Sequence, residues 1–194
     1  MSANSTQPQR PDYFKRPNNV TCVPANEGIE IEALAWAGVE IAFRMYKLTG
    51  QDVAIRFVHD GIIVPVTRSS QPAAIAAAWH KAKREGEKRI GIHQPESTDI
   101  PCRPESADGA LVFKEFYFRV PDDADVTEVI RQAVFALNYR YHLCGINLLT
   151  FRVRNFRITV TFETNPDTLV EDWEHNYSTR TNFVHIGSGP DVRR

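Results

Sequence analysis

Residues 39–67, VEIAFRMYKLTGQDVAIRFVHDGIIVPVT, are echoed by residues 134–162, VFALNYRYHLCGINLLTFRVRNFRITVTF. In each stretch an amphipathic helical period gives way, after a glycine, to two runs with the alternation of strands. Val39 aligns with Val134, Tyr46 with Tyr141 and Gly50 with Gly145, at an offset of 95. The strand runs align at 96, setting Ile55 on Phe151 and Val64 on Val160. An offset of 95 there would set an apolar face against a polar one, because a one-residue slip turns every strand side chain over. Beyond the hairpin the offset drops to 94, where Pro72 meets Pro166 and Trp79 meets Trp173. Upstream, Val23-Pro24 meets Val120-Pro121 at 97. The changes fall where loops are expected and insertions are tolerated.

Worked outward, the pattern yields a flexible N-terminal arm (1–18), a first α+β repeat (19–93), a linker (94–109), a second repeat (110–187) and a tail (188–194). Strands are expected at 20–23, 52–60, 62–67 and 89–93, with helices at 27–49 and 72–85. Asp60-Gly61 is a strong two-residue hairpin signal, since both central residues of a type I′ turn need positive φ. Pro65 marks an edge strand or an N–H turned away from the ladder. In the second copy a strand is expected at 111–120, and Asp125 with Glu128 resembles a capping box. A helix follows, then a hairpin from 148–154 and 156–163. Asn165-Pro166 opens the last helix, and a strand closes the copy at 182–187. The order strand–helix–strand–strand–helix–strand is that of the ferredoxin-like split βαβ. The expected fold is therefore α+β, two tandem ferredoxin-like repeats, each with two helices on one face of a four-stranded antiparallel sheet.

Composition narrows the function classes. The 194 residues carry 23 basic and 24 acidic side chains. The second repeat is net −2, without the basic excess of a protein that neutralises many phosphates. No apolar run reaches the roughly 20 residues of a bilayer span. Three cysteines, Cys22, Cys102 and Cys144, form no pattern and fit reduced thiols in the cytoplasm. Cys22 and Cys144 read as core thiols and Cys102 as exposed.

Motifs that carry chemistry are scarce. There is no phosphate-binding loop, no zinc spacing among the six histidines and no nucleophile elbow. No cofactor or metal is expected. The feature with most chemical content is Arg152, Arg154 and Arg157, interleaved with Phe151 and Phe156. Exposed arginine beside aromatic rings suits a carboxylate ligand or single-stranded nucleic acid. An ion pair of this cluster with Glu163 is the plainer alternative. Tyr46 and Tyr141, with Arg152 and Arg154, are candidate contacts for a ligand between the repeats. Trp79 and Trp173 read as core anchors.

The leading functional expectation is a non-catalytic protein-interaction or assembly module, forming a homo-oligomer or holding a protein partner. A small-molecule-binding domain or enzyme with its site between the repeats is the first alternative. A nucleic-acid-binding protein using the basic hairpin is the second.

Overall fold

A computed structural model describes residues 11–94, 96, 102–142, 145–146, 148–154, 156–178 and 185–186. The chain is an α+β protein with one mixed sheet and four helices. The elements are β1 (Asn19–Pro24), α1 (Ile31–Thr49), β2 (Ile55–His59), β3 (Ile62–Val66) and α2 (Pro72–Glu85), then β4 (Leu111–Arg119), α3 (Val126–Ala136), β5 (Leu148–Val153), β6 (Phe156–Thr161), α4 (Pro166–Ser178) and β7 (His185–Ile186).

The seven strands run in the order β3-β2-β1-β4-β5-β6-β7. This departs from the ferredoxin-like expectation. In a split βαβ the crossover leaves a gap that another strand fills. Here β1 and β2 are parallel hydrogen-bonded neighbours, as are β4 and β5. The element order was legible in the sequence; the neighbour each strand takes was not. The halves join at an antiparallel seam between β1 and β4, so the sheet is continuous rather than two packed layers.

One row of side chains explains why the sheet holds together. Val66, Ile55, Val20, Phe116, Leu149 and Val160 stand in register on six consecutive strands. All six are 0% exposed. Register partners share a face, so this row fixes the buried side of the whole sheet. The helices cover that side: α1 packs on β2, β3 and β4, α2 on β3, α3 on β6 and α4 on β7. A Cβ on Gly38 of α1 would stand 3.3 Å from Val66 Cγ2 and 3.5 Å from Phe57 Cε1, so the glycine lets α1 sit close to the sheet. Among the described residues no helix packs on the other face.

Local signals behave as their chemistry requires. Asp60 (φ 48°) and Gly61 (φ 75°) make the hairpin turn between β2 and β3. The second hairpin turns after Val153 with Arg154 at φ 54°, a conformation that costs a non-glycine residue energy. The turns coincide at an offset of 94, not 96, and so do the bends that follow. Thr67 N–H donates to Ser70 Oγ at 3.0 Å, and Thr161 N–H donates to Thr164 Oγ1 at 2.9 Å. A two-residue error leaves every side chain on its correct face, which is why alternation alone did not reveal it. Asp125 Oδ1 accepts from the N–H groups of Thr127 and Glu128, and Asn165 Oδ1 from those of Asp167 and Thr168, capping α3 and α4.

Both sheet margins are partly occupied. Ile63 N–H donates outward to Lys88 O and Ile63 O accepts from Ile90 N–H. Pro65, two residues on, therefore turns its nitrogen the same way, which is how proline is tolerated in β3. The strand expected at 89–93 reduces to this single bridge, Ile63 with Arg89. On the far margin β7 pairs with β6 through Arg157 and His185 and through Ile158 and Ile186.

The N-terminal segment departs from the flexible reading over residues 11–18. Phe14 is 0% exposed and meets Phe118 and Phe151 edge-on at 5.0 and 5.3 Å. Its carbonyl accepts from Tyr141 Oη at 2.6 Å. Arg140 holds Asp12 with two hydrogen bonds, at 3.3 and 2.7 Å. A π-helical turn, Leu137–Tyr141, ends the helix there. It brings Tyr141 inward, while Tyr46, its aligned counterpart, stays part-exposed beneath the Arg68 guanidinium at 4.0 Å.

Candidate functional site

Two cavities open at matching places, the carboxyl ends of the two parallel strand pairs. In the first half, Pro24, Asn26 and Glu27 after β1, with Val58, His59 and Asp60 of the β2 hairpin, line a cavity of about 550 Å³. In the second, Arg119, Val120 and Asp122 at the end of β4, Arg152 and Arg154 of the β5 hairpin, Tyr117, Asn18 and Asn19 line one of about 910 Å³. The sites differ in charge. Glu27 and Asp60 mark the first, three arginines the second.

The second site is built on the face turned away from the helices. Arg119 stands opposite Arg152, and Arg152 opposite Arg157, on three adjacent strands. Side chains so placed have Cβ atoms about 5 Å apart, and like charges there repel. Each arginine is treated differently by its surroundings. Arg157 donates to Glu115 Oε1 at 2.5 Å, so the ion pair expected with Glu163 is made with Glu115 instead. Arg152 Nε donates to the carbonyl of Arg154 at 3.3 Å. The guanidinium of Arg119 meets no acceptor among the described residues; its backbone N–H donates to Asn18 Oδ1 at 2.9 Å.

Arg154 is fixed by the strand-end turn. Its N–H donates to Asp122 Oδ1 and its Nε to Asp122 O, both at 3.0 Å. Its guanidinium lies over Tyr177 and Trp173, at 5.2 and 5.9 Å from their ring centres. The first half places its cation on the helix instead. Lys83 reaches Asp60 at 2.6 Å and lies 4.7 Å from the Trp79 ring centre. The hydrogen bond from Lys83 holds the Asp60 carboxyl below its ordinary value. Trp79 Nε1 donates to His59 O at 3.3 Å, whereas Trp173 Nε1 is buried without an acceptor among the described residues.

Of the residues singled out in the sequence, Arg152 and Arg154 share the cavity and Arg157 continues their row. Tyr141 does not join them: it is fully buried and spent on Phe14 O. Tyr46 lies in the first half under Arg68, itself paired with Asp52. Arg119, Tyr117 and Asn18 were missed. Arg119 ends a strand that reads as ordinary alternation, and only the parallel pairing of β4 with β5 sets it beside Arg152. No protein-family model, curated protein or solved structure matches the chain.

Other chemistry is sparse among the described residues. No group of three His, Cys, Asp or Glu side chains is placed to hold a metal ion. Burial pushes the Cys22 thiol up to about 12, so it carries little thiolate. Cys102 is exposed, and Cys144 lies outside the described residues. No described helix is long and apolar enough to cross a membrane.

Proposed function

We propose that this protein binds an anionic small molecule at the arginine-lined cavity where β4 and β5 end. The observation that carries the reading is the row Arg119, Arg152, Arg157 on adjacent strands of the sheet face turned away from the helices. Three guanidinium groups brought together by register cost folding energy through their repulsion. Glu115 offsets part of it by pairing with Arg157. A bound carboxylate or phosphate would relieve the remainder with bidentate, charge-assisted hydrogen bonds, the recognition for which arginine is best shaped.

The contrast between the halves supports this. The coincident turns at Asp60 and Arg154 and the coincident bends at Thr67 and Thr161 support reading the two halves as a tandem duplication. On that reading the two cavities are one inherited position, and the arginines were acquired in the second copy alone. A fold requirement would have left both copies alike.

Assembly through paired sheet edges, the leading expectation from sequence, has less behind it. The outer side of β3 already takes the backbone of Lys88 and Ile90, and β6 takes β7. Binding of nucleic acid is supported by the same arginines but opposed by the net charge of the second half.

Titration calorimetry at low ionic strength with pyrophosphate and with citrate tests the proposal. Charge-assisted hydrogen bonds contribute about 1.5–3 kcal/mol each, so Arg119→Ala and Arg152→Ala should each weaken binding about tenfold or more. Wild-type protein that binds neither anion, or variants that bind as wild type does, would refute it.

A further inference from the structure

We infer that the anion taken by this site is a 5′-nucleotide, an inference that rests on the anion-binding reading. The cavity is not uniformly cationic. Asp122 lines it beside the arginines. One carboxylate oxygen accepts from Arg154 N–H at 3.0 Å, and the other has no donor among the described residues. A bare anion held by the arginines would leave that oxygen without a donor. A ligand that carries hydroxyl groups beside its charge would donate to that oxygen, as the hydroxyls of a sugar do.

The opposite wall supplies a surface for a ring. Tyr117 and Arg119 sit on the same face of β4, two residues apart, so their side chains leave the strand about 7 Å from one another. A ribose spans a gap of that order between base and phosphate. Tyr117 is half-buried and stands in register with Asn19 of β1. Asn18 is held by the Arg119 N–H to its Oδ1, which leaves its NH₂ group to donate. An aromatic face flanked by two amides is suited to a heteroaromatic base, stacked on the ring and read at its edge. At about 910 Å³ the cavity has room for one nucleotide. Phosphate to Arg119 and Arg152, ribose to Asp122 and base to Tyr117 give each of these side chains one role.

Calorimetry of the full chain with inorganic phosphate, ribose 5-phosphate and AMP separates this inference from the reading beneath it. Ribose 5-phosphate should bind more tightly than phosphate. AMP should bind about tenfold or more tighter than ribose 5-phosphate, the lower part of what one base–aromatic stack contributes. Tyr117→Leu should erase the difference between AMP and ribose 5-phosphate while phosphate binding persists, with circular dichroism and the melting temperature confirming that the variant is folded. AMP binding no tighter than ribose 5-phosphate would overturn the nucleotide inference and leave anion binding standing. An oligonucleotide whose affinity rises with length beyond that of AMP would overturn it in favour of a polymer groove. Failure of all three small ligands to bind would refute both.

Discussion

Replacing Phe14 by alanine tests whether residues 11–18 are part of the core or lie loosely upon it. Phe14 is fully buried and fills the space between Phe118 and Phe151, at 5.0 and 5.3 Å between ring centres. Truncating such a ring to alanine costs about 3–5 kcal/mol in transfer and cavity terms. The two edge-on pairs account for part of that. For a chain of this size each kcal/mol moves the melting temperature by about 2–4 °C, so the expected fall is roughly 6–20 °C. Urea denaturation followed by tryptophan fluorescence should show the midpoint falling with the slope unchanged. Tyr141→Phe should cost less, about 1–3 kcal/mol, because it strands the buried carbonyl of Phe14. The two substitutions should be non-additive, since Tyr141 is anchored on Phe14 itself. A Phe14→Ala protein that loses less than about 1 kcal/mol would show the segment detached in solution and refute the docking argument.

Three further outcomes follow from particular contacts. Leucine at Gly38 would overlap Val66 and Phe57, so Gly38→Leu should destabilise by about 1–3 kcal/mol in chemical denaturation, whereas Gly38→Ala should lie near neutral because gained helix propensity offsets a tight fit. Burial tends to raise the Asp12 carboxyl, but the hydrogen bond and charge of Arg140 and the N–H of Phe14 more than offset it, leaving it below its ordinary value. Its contribution to stability is then present above the unfolded-state value of about 4 and lost as pH falls through the lower folded one, so Asp12→Asn should flatten the acid limb of a stability–pH curve. Thiol labelling of native protein at pH 8, mapped by peptide mass, should modify Cys102 and spare Cys22 until urea is added, because Cys22 is buried and its thiol is pushed up to about 12.

The contrast between what sequence showed and what it hid has a common cause. Period and punctuation are local, so the helices, the Asp60-Gly61 turn, the caps at Asp125 and Asn165 and the edge character of Pro65 were all legible. Strand neighbours are not local. Alternation tells which face of β1 is buried but not that β2 lies beside it, and the ferredoxin-like arrangement satisfied the same pattern. The two hairpins were aligned two residues out of step because Arg154 holds positive φ without the chemistry that announces it. The candidate site failed in the same way: Arg152, Arg154 and Arg157 stood out as a run, but Arg119 is 33 residues upstream of Arg152 and joins it only through the pairing of β4 with β5. Tyr13 and Phe14 stand out as the only aromatic residues of a polar segment, but without a period they do not say where they dock.

The seam between β1 and β4 has a consequence for stoichiometry. Had the two halves been separate identical chains, the same antiparallel contact would have made a two-fold dimer, present only at sufficient concentration. Every substitution would then occur twice, so the arginine row at one end would be matched by another at the opposite end. A single chain carries the seam internally, at an effective concentration independent of dilution. It is also released from two-fold symmetry. One cavity can become strongly basic while its counterpart keeps Glu27 and Asp60, and the opposite charges leave the whole molecule near neutral. One ligand per chain, rather than two, is the ratio such an arrangement implies.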